Sequence, residues 1–130
     1  MIKIQTLICS VLLSLIALNS YGQKGKIAAA DKEYNNYAYI DAIKTYERIA
    51  EKGYKSVEMF QKLGNAYYFN AELYKAARWY EELFNMSNDQ DAEYYYRYSQ
   101  CLKSVGQYDK ADKMMSEFNK KSGNDARAQL

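Results

Sequence analysis

Apolar positions recur along residues 26–121 at steps of three and four, and the pattern itself recurs. Ile27, Ala30 and Tyr34 are echoed by Phe60, Leu63 and Tyr67, and again by Tyr95, Tyr98 and Leu102. Each trio lies on one face of an α-helix, which turns through about 100° per residue. A second theme follows each trio. The run from Tyr39 to Glu47, built around Ala42 and Tyr46, returns from Leu73 to Glu81 around Ala76 and Tyr80. It returns once more from Tyr108 to Ser116 around Ala111 and Met115. The three alanines stand 34 and then 35 residues apart, the period of helix–turn–helix repeats. No stretch alternates apolar and polar residues, so no strand is expected. The chain reads as all-α: a solenoid of three α-hairpins, with six helices near 26–37, 40–52, 57–70, 73–86, 92–105 and 108–121.

The first-helix trios are spaced by 33 and then 35 residues, one fewer at the first interval than the alanines. That difference predicts a shorter hairpin turn in repeat one, around Asn36 to Ala38. Between repeats two and three, Asn85 to Asp91 carries an extra residue and offers Asp89 or Asp91 as an N-cap; Ser56 plays that part before Val57. Gly53 and Gly123 follow helical patterns at the positions where glycine ends helices. Gly64 and Ser99 are small where two helices must approach closely. Ala42, Ala76 and Ala111 let the second helix of each hairpin nestle on the first, and Tyr46, Trp79, Tyr80 and Phe118 fill space between hairpins.

The first 22 residues follow a different rule. Lys3 gives a positive start, Leu7 to Leu18 is an apolar run, and Ser20 and Gly22 place small residues at the cleavage positions. This is the pattern of a secretory signal peptide, with Gln23 as the mature N-terminus. The run is shorter than the roughly 20 residues that span a bilayer. Cys9 follows Ile8 rather than a small residue, unlike a lipid-attachment cysteine. Removal of residues 1–22 leaves 108 residues, one domain with a modest core, and a formal charge of +1 in place of +2. Such a surface lacks the basic excess that neutralises phosphates, which argues against nucleic acid as a partner.

Catalysis finds little support. The chain has no histidine. It has no glycine-rich phosphate loop and no cysteine–base pair, and Cys101 in mid-helix reads as a small buried apolar group. Glu81-Glu82 and Asp89 with Asp91 read as solvated or capping carboxylates. Ligands for zinc or another transition metal are essentially missing, so no cofactor and no metal are expected.

Repeat two, through Phe60, Leu63, Gly64, Tyr67, Ala76, Tyr80 and Leu83, resembles the tetratricopeptide repeat (TPR). Repeat three does so through Tyr95, Tyr98, Ser99, Leu102, Ala111, Met115 and Phe118. Repeat one is a weaker copy, and the family's late proline is missing from all three. The resemblance covers about 25–121 and implies repeats at about 26–52, 57–86 and 92–121. It also implies a concave groove lined by the first helices, where a segment of another protein is held without turnover. Carried over by position, the groove presents Lys32, Asn35 and Asn36, then Gln61, Asn65, Tyr68 and Phe69, then Tyr96, Gln100 and Lys103. Amides there suit a peptide backbone, lysines a carboxylate, and tyrosines broad contact at low entropy cost. With only two lysines, the groove is not a strongly basic clamp. Of Tyr94 to Tyr96 only some can face the core, so Tyr94 or Tyr96 is expected at a surface.

A narrower resemblance rests on Lys26-Ile-Ala-Ala-Ala-Asp-Lys, on the run from Asn36 to Glu47, on Tyr94-Tyr-Tyr-Arg-Tyr and on the closing Ser122-Gly-Asn-Asp-Ala-Arg-Ala. These are similar to the N-terminal TPR modules of OmpA-like envelope proteins in gliding-type bacteria with type IX secretion. The resemblance implies a periplasmic, outer-membrane-associated scaffold whose partner is another cell-envelope protein. Peptidoglycan would be reached only through a domain outside this chain. Residues 122–130 read as a truncated or capping segment, since a solenoid's last hairpin leaves an apolar face that a polar helix must cover. The alternative is a stand-alone structural adaptor that oligomerises through its uncapped terminal helix.

Overall fold

The computed structural model describes residues 2–128, apart from the side chains of residues 2, 15–21, 125 and 128. Six helices account for almost all of it: α1 (Ile2–Asn35), α2 (Tyr39–Glu51), α3 (Val57–Phe69), α4 (Leu73–Met86), α5 (Ala92–Ser104) and α6 (Tyr108–Ala128). No strand occurs among the described residues.

Two helices exceed their expected lengths. The apolar N-terminal run is helical and continuous with the first helix of repeat one, so α1 has 34 residues rather than starting near 26. Gly22 and Gly25 do not break it. A Cβ at either would meet nothing within 4 Å, so neither glycine marks a close approach. Its Ile4, Leu7, Ile8, Val11, Leu12 and Leu13 are exposed. No helix among the described residues is long and apolar enough to cross a membrane. The side chains of Ser20 and Tyr21, at the expected cleavage junction, lie outside the described residues. At the other end, Gly123 does not terminate α6, which runs through it to Ala128.

The turns inside the hairpins also differ from expectation. All three have three residues between helices: 36–38, 70–72 and 105–107. All three share one hydrogen-bond pattern. Tyr37, Ala71 and Gly106 donate to the carbonyls of Tyr34, Tyr68 and Lys103; Ala38, Glu72 and Gln107 donate to those of Glu33, Tyr67 and Leu102. This is the Schellman closure, which needs a left-handed residue in the middle, and Tyr37, Ala71 and Gly106 have φ of 61°, 60° and 76°. The turn of repeat one is therefore not shorter. Instead its first helix is read one residue out of register: counting back from the turns, Ala30 occupies the position of Gly64 and Ser99. All three are buried. The extra residue of the second interval lies in α4, with 14 residues against 13 in α2. Ser56 caps α3 by accepting the Met59 N–H at 3.1 Å. Asp91 stands at the N-cap of α5 without a side-chain capping bond.

Each hairpin packs tightly on itself, and each second helix packs against the first helix of the next hairpin. The first helices also touch one another, α1 on α3 and α3 on α5, whereas among the described residues the second helices α2, α4 and α6 do not meet. The stack therefore curves with α1, α3 and α5 on its inner side. Gly64 shows why the seam needs small residues: a Cβ there would stand 2.6 Å from the Tyr80 ring. Ala42, Ala76 and Ala111 are fully buried along the same seam, with Phe60, Leu63, Tyr80, Leu83, Tyr98 and Leu102 filling the core. The Phe118 ring rests on Tyr96, within its own hairpin, at 5.4 Å.

Candidate functional site

Two sets of polar side chains tie the first helices together along the inner curve, and they repeat one another. In the first, the Tyr46 hydroxyl of α2 donates to Asp31 of α1. Lys62 of α3 reaches the same carboxylate at 3.0 Å while pairing with Glu58 one turn earlier at 2.7 Å. In the second, the Tyr80 hydroxyl of α4 donates to Asn65 Oδ1 at 2.7 Å. Arg97 of α5 donates to that oxygen at 3.0 Å and to Glu93, one turn earlier, at 2.7 Å. Asp31, Tyr46, Glu58 and Lys62 thus return as Asn65, Tyr80, Glu93 and Arg97, each 34 or 35 residues on. In repeat three the corresponding places hold Gln100 and Met115, and the pattern stops. Half-buried ion pairs with several hydrogen bonds fix geometry more than they add stability.

The electrostatics follow from this wiring. Burial raises the Tyr46 hydroxyl pKa well above its ordinary value, and the bond to Asp31 raises it further. Burial also raises that of Tyr80. Burial alone would lower Lys62, but Glu58 and Asp31 outweigh it and hold the ammonium above its usual range. Both tyrosines are donors locked in the neutral form, and the Lys62 ammonium stays charged.

Beside these polar ties runs an aromatic strip. Tyr39 lies 5.5 Å from Tyr34 and 5.6 Å from Phe69, and Phe69 is edge-on to Tyr68 at 5.8 Å. The Arg97 guanidinium covers the Phe69 ring at 4.9 Å and lies within 6 Å of Tyr68 and Tyr94, the geometry of a cation–π contact. Phe69 remains 46% exposed and Tyr96 41%, so both offer ring surface to a visitor.

The expected groove residues divide into three groups. Phe69, Tyr96, Lys32, Asn35, Asn36 and Lys103 are exposed; Tyr68, Gln61 and Gln100 are half-buried; Asn65 is buried. Both ends of the Asn65 amide are engaged internally, Oδ1 by Tyr80 and Arg97 and Nδ2 by the Tyr34 hydroxyl at 3.2 Å. Gln61 donates to buried Gln90 at 2.7 Å. These two amides hold the floor rather than stand free. Of the two tyrosines in question, Tyr96 is the surface one and Tyr94 is buried. Sequence reading missed Arg97 as a groove residue, although its equivalence to Lys62 at 35 residues was available. It also passed over Tyr34 and Tyr39, which a register one residue out hides. Cys101 is fully buried, and burial pushes its thiol up to about 12.

No protein-family model and no curated protein sequence matches this chain. Solved structures do match it in three dimensions. The C-terminal part of a TPR repeat-containing protein from Cytophaga hutchinsonii superposes with a TM-score of 0.65 at 21% identity over 75% of this chain. The fold is that of tetratricopeptide-repeat proteins. This chain spans 39% of the Cytophaga chain. PcrH, solved in complex with the chaperone binding region of PopB, gives a TM-score of 0.62 at 15% identity, over 78% of this chain and 82% of that one. The type III secretion translocator chaperone SycD of Yersinia enterocolitica gives 0.61 at 19% identity, over 78% and 76%. The TPR arrangement explains why the aromatic strip and both polar ties share one side: they lie on the first helices or reach them from the second.

Proposed function

We propose that the chain is a non-catalytic protein-interaction scaffold that docks an extended or helical segment of another protein along α1, α3 and α5. The observation that carries this reading is the exposed ring surface of Phe69 and Tyr96 on a floor made rigid by Asn65 and Arg97. Aromatic rings with few rotatable bonds make efficient recognition anchors, and a fixed floor lowers the ordering cost of binding. PcrH, of the same fold, is solved in complex with the chaperone binding region of PopB, which supports a protein segment as the partner.

The finer reading adds a location. The chain is the exported N-terminal repeat module of an outer-membrane-associated, peptidoglycan-anchored OmpA-like protein, working in the periplasm beside type IX secretion. Its partner is another envelope protein, and peptidoglycan is contacted by a domain outside these residues. The signal-peptide pattern of residues 1–22 and the narrower sequence resemblance support it. A fusion of residues 1–30 to alkaline phosphatase lacking its own leader tests export: activity is expected, and an inactive, retained fusion refutes it. For the groove, a pull-down with Phe69→Ala/Tyr96→Ala is expected to lose the partner that wild type retains, with the circular dichroism unchanged. An unaltered partner list refutes the groove, and a concentration-dependent oligomer lost on truncation of α6 favours an adaptor that works through its terminal helix.

A further inference from the structure

The outer face of the stack carries a feature that the groove does not use. Because α2, α4 and α6 do not meet, the first helices are uncovered between them, and a cavity of about 600 Å³ opens over α4 and α5. That falls within the range of about 300–1,000 Å³ typical of small-molecule sites. Its floor is apolar, formed by Ala77, Leu102 and Val105, and aromatic walls rise on it from Tyr67, Tyr74 and Trp79. Trp79 is almost fully buried while Tyr74 stands in solvent, so one wall is fixed and the other free to close.

The charged groups around the cavity each have a hydrogen-bond or ion-pair partner, with one exception. Glu47 accepts the Tyr67 hydroxyl at 2.5 Å. Glu81 pairs with Lys110 at 2.9 Å, and Lys75 with Glu72 at 2.5 Å. The Arg78 guanidinium has only the face of Trp79, 5.1 Å from the ring centroid, and no carboxylate of the described residues pairs with it. A guanidinium held by a ring face alone keeps its N–H groups free, and these receive a carboxylate in two parallel hydrogen bonds.

We propose that this outer cavity is a second binding site, for an organic anion with a flat apolar body. The body lies on Leu102 and Val105 beside Trp79, and its carboxylate meets Arg78. Trp79 is the only tryptophan of the chain, so binding reports itself by energy transfer from that residue. The experiment titrates the full chain with 8-anilinonaphthalene-1-sulfonate and with its uncharged parent, N-phenyl-1-naphthylamine. Wild type is expected to bind one sulfonate dye per chain. Arg78→Gln is expected to weaken it about tenfold, the loss of one charge-assisted hydrogen-bond pair, and to leave the uncharged dye unchanged. Gln107→Glu, which places a negative charge at the exposed rim, is expected to weaken the sulfonate dye alone, and Phe69→Ala/Tyr96→Ala to change neither. Equal sulfonate affinity in wild type and Arg78→Gln overturns the proposal. So does loss of dye on Phe69→Ala/Tyr96→Ala, and so does binding seen only where circular dichroism reports lost helix.

Discussion

Asn65 is bonded to residues of all three hairpins, and a double-mutant cycle with Tyr80 measures the bond that holds its amide inside the second. Tyr80 is fully buried, and its hydroxyl has Asn65 Oδ1 as acceptor at 2.7 Å. Asn65→Ala leaves that hydroxyl without a partner, which costs about 1–3 kcal/mol. Arg97 also loses one of its two bonds, but it retains Glu93 at 2.7 Å and is partly solvated, so its share is about 1 kcal/mol or less. The expected total is about 1–4 kcal/mol. Tyr80→Phe removes the donor and leaves Asn65 satisfied by Arg97, so about 1 kcal/mol is expected. In the double variant no orphaned hydroxyl remains, and its cost falls short of the sum by about 1–2 kcal/mol. Urea unfolding followed by circular dichroism at 222 nm and by Trp79 emission gives all three values. Additivity within about 0.5 kcal/mol would refute the claim that Tyr80 holds the Asn65 amide in place.

Three further outcomes are expected. Tyr46, Tyr67, Tyr80 and Tyr98 all have hydroxyls raised above 10.0, first of all by burial. A folded-state pKa above the unfolded one gives stability that is whole below that value and is lost as pH climbs through the raised one. The urea midpoint should therefore hold to about pH 10 and fall beyond it, with the last part of the tyrosinate absorbance at 295 nm appearing only together with loss of helix; the full tyrosinate absorbance reached before helix loss would contradict this. Cys101, buried and with its thiol pushed up to about 12, should resist Ellman's reagent at pH 8 in the folded, uncleaved chain while exposed Cys9 reacts, and a second fast thiol would count against it. In the hairpin turns, Ala71→Gly should stabilise by about 1 kcal/mol and Gly106→Ala destabilise by about 1–2 kcal/mol; a loss of stability in Ala71→Gly, or none in Gly106→Ala, would show that the turns are not of one kind.

The sequence made the hairpins legible because their apolar spacing is strong and repeated. Helices α3 to α5 end within a residue of expectation, since Ser56, the seam alanines and the apolar trios all agree there. Repeat one was harder to place. Ala30 carries no bulk to mark which row it belongs to, and Tyr37 and Ala71 give no sign of a left-handed turn that glycine announces at Gly106. Gly123 was read as a stop, yet a glycine ends a helix only where the chain turns away, and nothing at that point turns it. For the site, ring type and helix face gave the exposed positions Phe69 and Tyr96. Periodicity alone does not tell that Asn65 and Gln61 are held by Tyr80, Arg97 and Gln90, because those partners lie 15 to 32 residues away.

The direct measurement of the groove is site-specific photo-cross-linking in the cells that make the protein. Benzoylphenylalanine is placed at Phe69 and Tyr96 on the inner curve, and at Lys44 and Tyr108 on exposed surface elsewhere. The account predicts one and the same partner protein joined to the chain from positions 69 and 96, and no such product from 44 or 108. A partner captured only from 44 or 108, with 69 and 96 silent, would contradict it.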